Sequence, residues 1–103
     1  MYVTIWEFFV QPGCEGEFER IYGPNGDWAQ LFAGSKGYQG TELLLDSEQG
    51  SMSATRYVTI DRWSGVRDFA NFQAVCGEKY KALDARWEHL TAREAHLGNF
   101  ESE

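Results

Sequence analysis

Cysteine is scarce in this sequence: only Cys14 and Cys76 occur, 62 positions apart. Neither has a second Cys or a His at metal-ligand spacing, which excludes a locally built zinc site or a CxxC redox motif. Spacing leaves a disulfide between them open. Cys76, at the end of an amphipathic run, reads as a small buried apolar group, and Cys14 sits in a polar turn. Positive charge is also sparse. Nine Lys and Arg face sixteen Asp and Glu, for a net charge of -7. That balance repels phosphate backbones and anionic headgroups, so neither nucleic acid nor a membrane surface is expected as a partner. Long hydrophobic runs are missing too. The longest, Tyr2 to Val10, is interrupted by Glu7, is too short to span a bilayer and lacks the basic start of a secretory signal. Together these features point to a cytoplasmic protein.

Aromatic residues are abundant instead: seven Phe, five Tyr and four Trp within 103 residues. A chain this short has room for one domain, residues 1–103 with an acidic tail at 101–103, and the aromatics supply its core. Tyr2 to Val10 is rich in β-branched and aromatic residues and closes at Gln11-Pro12-Gly13, where Pro cannot continue a ladder. Tyr2, Thr4, Trp6, Phe8 and Val10 lie on one side of this strand, and Val3, Ile5, Glu7 and Phe9 on the other. Both faces are largely apolar, so both must be covered.

Phe18, Ile21 and Tyr22 follow at helical spacing. After Gly23-Pro24-Asn25-Gly26, Trp28, Leu31 and Phe32 repeat it, with Asp27 and Gln30 in a capping-box pattern. The glycine segment lacks the lysine of a phosphate loop. It reads as a helix break, or as a gate with Tyr22 and Trp28 on its flanks. Thr41–Asp46 and Thr55–Trp63 read as a hairpin whose polar stretch, 47–54, forms a long mobile tip. Ser64 can cap a helix carrying Val66, Phe69, Phe72 and Cys76, and beyond Gly77 the stripe resumes with Tyr80, Leu83, Trp87 and Leu90. One kinked helix or two is left open. Thr91 to Phe100 reads as a last strand.

The order β-α-β-β-α-β is that of the α+β ferredoxin-like arrangement, a four-stranded antiparallel sheet with helices on one face. The helix-free face of an apolar strand still needs a cover, and a second copy of the chain is the simplest source. A homodimer is expected. RNA-recognition domains share this chain order, but the basic-aromatic pattern they use is missing here.

The opening strand with Gln11-Pro12-Gly13 and Phe18, the segment Tyr38-Gln39-Gly40-Thr41-Glu42, and Tyr57-Val58-Thr59-Ile60-Asp61-Arg62-Trp63-Ser64 leading to Phe69 carry a resemblance. In order and spacing they resemble the antibiotic biosynthesis monooxygenase-like family of the dimeric α/β-barrel superfamily, nearly end to end. The resemblance implies a dimeric barrel, a ligand site between sheet and helices, and a small aromatic or polycyclic substrate oxidised without a cofactor. Haem-degrading members use a strand-one Asn, a helical Trp and a helical iron-ligating His. This sequence has Trp6, Phe72 and the Tyr80–Ala82 region at those places, so haem cleavage and a bound metal are not expected.

On the same basis the Trp6 face of strand one, with Tyr22, Trp28, Phe32, Phe69 and Phe72, would line the site. Aromatics at helical spacing also simply fill cores, which is the alternative. Oxygenation without a cofactor needs a base or a positive group to favour a substrate anion. His96 is the candidate base, against a solvated imidazole on an edge strand. Arg56, Arg62 and Arg93 could neutralise an anion, or, alternating with Glu42, Asp61 and Glu94 on neighbouring strands, form cross-strand ion pairs or dimer contacts. A non-catalytic homodimer that binds a ligand or is purely structural is the competing function.

Overall fold

The computed structural model describes residues 1–49 and 53–103. Strand β1 (Tyr2–Val10) runs to the Gln11-Pro12-Gly13 turn, and helices α1 (Glu15–Tyr22) and α2 (Asp27–Ala33) follow. Strands β2 (Tyr38–Leu45) and β3 (Thr55–Trp63) form the hairpin, helix α3 (Val66–Trp87) ends in a 3-10 turn at Glu88–Leu90, and strand β4 (Thr91–Glu101) closes the chain. The sheet order is β2-β3-β1-β4 with every neighbouring pair antiparallel. This is the ferredoxin-like α+β arrangement with its first helix split in two. The expected hairpin tip falls partly on residues 50–52, outside the described residues.

Alternation explains how β1 and β3 fill the core. Tyr2, Phe8 and Val10 meet Trp63, Tyr57 and Thr55 on the helix-facing side, where Phe18, Ile21, Phe32 and Phe72 pack onto them. Val10, Phe18, Ile21 and Trp63 are wholly buried. Between α1 and α2 the backbone turns so tightly that a Cβ on Gly26 would lie 2.2 Å from the Ile21 carbonyl oxygen. Only glycine fits that approach, so the segment is a packed joint.

Local expectations fail at both helix starts. Asp27 is not an N-cap: Gly26 holds that position, and no side chain caps α2. The Asp27 carboxylate instead accepts from Trp87 Nε1 (3.1 Å), tying α2 to α3, while Gln30 Nε2 donates to the Asn25 carbonyl (3.0 Å). Ser64 is displaced from the cap of α3 by Gly65 and donates to the Asp68 carboxylate. Helix α3 runs unbroken through Gly77, because one mid-helix glycine costs only about 1 kcal/mol against alanine. Both cysteines are half-buried free thiols.

Of the three register shifts on the outer strands, two shape everything that follows. On β2 the register slips between Tyr38 and Gly40, where Gly40 has φ of 119°. On β4 it slips between Gly98 and His96, where Gly98 has φ of 149°. Residues three apart in a regular strand point to opposite faces. One extra residue brings both to the same face. Thus Tyr38 and Thr41 share the helix-facing side of β2, and His96 and Asn99 share that side of β4.

Candidate functional site

A cavity of about 440 Å³ lies between the sheet and α3, within the range of small-molecule sites. Its floor comes from β1 (Thr4, Trp6, Phe8), β3 (Thr59, Asp61) and β4 (Glu94, His96, Asn99). Phe69, Phe72, Gln73, Gly77, Tyr80, Lys81 and Asp84 form the roof, all on one face of α3. Tyr22, Trp28 and Phe32, from α1 and α2, complete its aromatic wall. All six aromatics singled out in the sequence, and His96, therefore meet at one cavity. They do not close it.

Lateral register places a polar row across the floor: Thr41 opposite Asp61, Asp61 opposite Thr4, and Thr4 opposite Asn99. Hydrogen bonds join it into two groups. Tyr38 donates to Thr41 Oγ1 (2.5 Å) and Thr41 donates to Asp61 Oδ1 (2.6 Å). On the other side His96 Nε2 lies 2.9 Å from Asn99 Oδ1 and 3.1 Å from Thr4 Oγ1. With Asn99 Oδ1 as acceptor, Nε2 carries the hydrogen and Nδ1 is left free. The His96 imidazole stacks on Trp6 with 4.9 Å between ring centres, so it is exposed on an edge strand and yet fixed against the cavity floor.

Asp61 is the residue that the sequence reading misplaced. It forms no cross-strand pair with an arginine. Strand alternation puts it with Tyr57, Thr59 and Trp63 on the helix-facing side and Arg56 and Arg62 on the other. It is 7% exposed, and burial pushes its carboxyl up to about 6, partly offset by the Thr41 hydroxyl. Among the described residues its second oxygen, Oδ2, has no hydrogen-bond partner. The signal was present in the sequence: period two assigns Asp61 to a face otherwise holding Tyr57, Thr59 and Trp63.

The arginines are engaged elsewhere. Arg56 pairs with Glu7 (2.7 Å) and Asp46 (3.4 Å), and Arg62 pairs with Glu42 as expected. Arg93 lies over the Phe9 ring at 4.3 Å, and Glu94 faces the cavity without an arginine. Burial, then Asp84 and Glu88, push the Glu94 carboxyl above its ordinary value. Burial likewise raises Tyr22 strongly and Tyr80 to about 12, so both stay phenols near neutrality. Trp28 Nε1, in the cavity wall, is buried with no acceptor of good geometry.

At the place where the resemblance puts an iron-ligating His, the cavity presents Tyr80 and Lys81. Asp61, Asp84 and Glu94 add negative charge that opposes the propionates of a haem. These residues do not fit that group. Among the described residues no helix is long and apolar enough to cross a membrane.

No family model and no curated protein matches this sequence. Solved structures do. SnoaB, a cofactor-independent oxygenase from Streptomyces nogalater, is 22% identical with a TM-score of 0.74, over 99% of this chain and 92% of its own. A candidate antibiotic biosynthesis monooxygenase from Bordetella bronchiseptica is 20% identical with a TM-score of 0.69, over 99% and 96%. A variant of MhuD with two manganese protoporphyrin IX molecules per active site is 20% identical with a TM-score of 0.68, over 99% and 94%. The chain has the ferredoxin-like fold of the antibiotic biosynthesis monooxygenase-like proteins.

Proposed function

We propose that this protein is a cofactor-independent monooxygenase that oxidises a small aromatic or polycyclic substrate in the sheet–helix cavity. The observation that carries the reading is Asp61: a buried carboxyl with one free oxygen, facing an aromatic-walled cavity, whose affinity for protons suits a general base near neutral pH. Trp6, Phe32, Phe69 and Phe72 hold the flat body of the substrate, and Tyr22 and Trp28 shield it from water. The named activity of SnoaB, on the same fold, agrees with this chemistry.

Asp61 Oδ2 takes a proton from an activated ring CH2, and Thr41 steadies the carboxylate during the step. The resulting carbanion gives its electrons to O2 and becomes a peroxide anion. Protonated Asp61 returns its proton to the outer oxygen. Loss of water then leaves a ketone, so CH2 and O2 become C=O and H2O with no outside reductant. His96, stacked on Trp6, keeps Nδ1 free to hold a proton beside the substrate.

A second copy covers the open sheet face. Ile5, Val58, Ile60 and Leu44 form its apolar centre, and Arg56–Glu7 and Arg62–Glu42 place both charge signs at its two ends. Such a face is complementary to itself across a two-fold axis. Oxygen uptake with anthrones and polycyclic phenols tests the activity. Uptake should rise with pH through about 6 and vanish in Asp61→Asn. Binding without any uptake, or uptake retained in Asp61→Asn, would overturn the reading; the former would favour the non-catalytic dimer.

A further inference from the structure

We infer that the cavity selects substrates bearing a protonated amine, which docks between Asp84 and Glu94 beside Tyr80 while the aromatic body reaches the floor. The inference rests on the proposed use of this cavity for an aromatic substrate and names the charge class of that substrate.

Asp84 enters from the α3 roof and Glu94 from β4, so the two carboxylates face one space from different elements. Among the described residues neither makes an ion pair. Lys81 is the one lysine or arginine lining the cavity, against three carboxylates, and it is exposed and bonded to neither partner. Glu88 adds further negative charge near Glu94, and His96 is engaged with Asn99 and Thr4. Negative groups crowded together without counter-charge repel one another, and a ligand cation removes that repulsion.

The adjoining walls suit a cation as well. Trp28 lies 4.9 Å from Tyr80 and 5.9 Å from Tyr22 between ring centres. Ring faces attract an ammonium group, most strongly where water is displaced. Asp61 supplies the independent sign of a ligand: its unpartnered Oδ2 lies in a residue 7% exposed at the cavity floor. Asp61, Asp84 and Glu94 line the same cavity as Tyr80, so the three carboxylates share one space. An anionic ligand would meet all three.

Three probes of equal shape test this by tryptophan fluorescence: 1-naphthylmethylamine (cationic), 1-naphthalenemethanol (neutral) and 1-naphthoate (anionic). The amine should bind about tenfold more tightly than the alcohol, and the naphthoate most weakly. The advantage should shrink as salt rises. In the double variant Asp84→Asn/Glu94→Gln the three affinities should converge to within about threefold. Naphthoate binding as tightly as the amine, an amine advantage that survives the double variant, or no binding of any probe would overturn the inference. These readouts need no turnover, so a failure of oxygen uptake sinks the catalytic reading and leaves this one standing.

Discussion

Replacing Asp61 by Asn should make the protein more stable while abolishing proton transfer. The side chain is 7% exposed, and burial holds the carboxyl at about 6 instead of the ordinary 3.8. Two pKa units correspond to about 3 kcal/mol. Because the folded pKa is raised, the folded state binds more protons than the unfolded chain between about pH 4 and 6. Stability from this group therefore falls as pH rises through that window, and the full cost of the buried charge is present above it. Asn keeps the shape and the acceptor for the Thr41 hydroxyl but carries no charge.

Urea melts of wild type and Asp61→Asn from pH 3.5 to 8 give the difference directly, since the other carboxylates cancel. The variant should match wild type near pH 4 and exceed it by about 2–3 kcal/mol above pH 7. That gain corresponds to a Tm increase on the order of 10 °C. A stability difference that stays flat with pH, or a variant less stable at pH 8, would refute the assignment of Asp61 as a buried, poorly solvated charge.

Gly77 faces the cavity, and a Cβ there meets nothing within 4 Å. Gly77→Ala should therefore stabilise α3 by about 1 kcal/mol, whereas Gly77→Leu should fill the cavity and weaken all three naphthalene probes; unchanged binding in the leucine variant would remove this stretch of α3 from the site. Deleting Leu97, the extra residue of the β4 bulge, should turn His96 or Asn99 away from the cavity and cost about 1–3 kcal/mol. Loss of the stack on Trp6 would show as a shift in tryptophan emission. Ile60→Glu, at the centre of the open sheet face, should convert a dimer to monomers in sedimentation without unfolding them. A wild-type chain that already sediments as a monomer at micromolar concentration would end the dimer proposal.

Much of the architecture was readable from pattern. Strand β1 declared itself by apolar residues on both faces, α3 by its Phe69–Phe72 and Tyr80 stripe, and the α1–α2 break by its paired glycines. Cap residues misled because other side chains engage them: Ser64 bonds Asp68 in the first turn of its own helix, and Asp27 bonds Trp87 across to α3. The aromatic lining was legible as a set, since alternation and helical spacing each assign a face. His96 was legible only as a titratable group: its stack on Trp6 and its bond to Asn99 depend on a bulge that no local pattern announces.

By itself, the sequence determined which faces are apolar, because side-chain direction follows from strand and helix period alone. It thereby determined the order of elements and the aromatic character of the space between them. Whether those aromatics fill that space or enclose it was decided only by tertiary structure, since the outcome depends on the separation of α3 from the sheet. The tertiary structure also decided that Asp61 is desolvated and that Asp84 and Glu94 line one cavity. Desolvation and charge proximity are properties of distance between remote segments, and a linear order of residues carries no such distances.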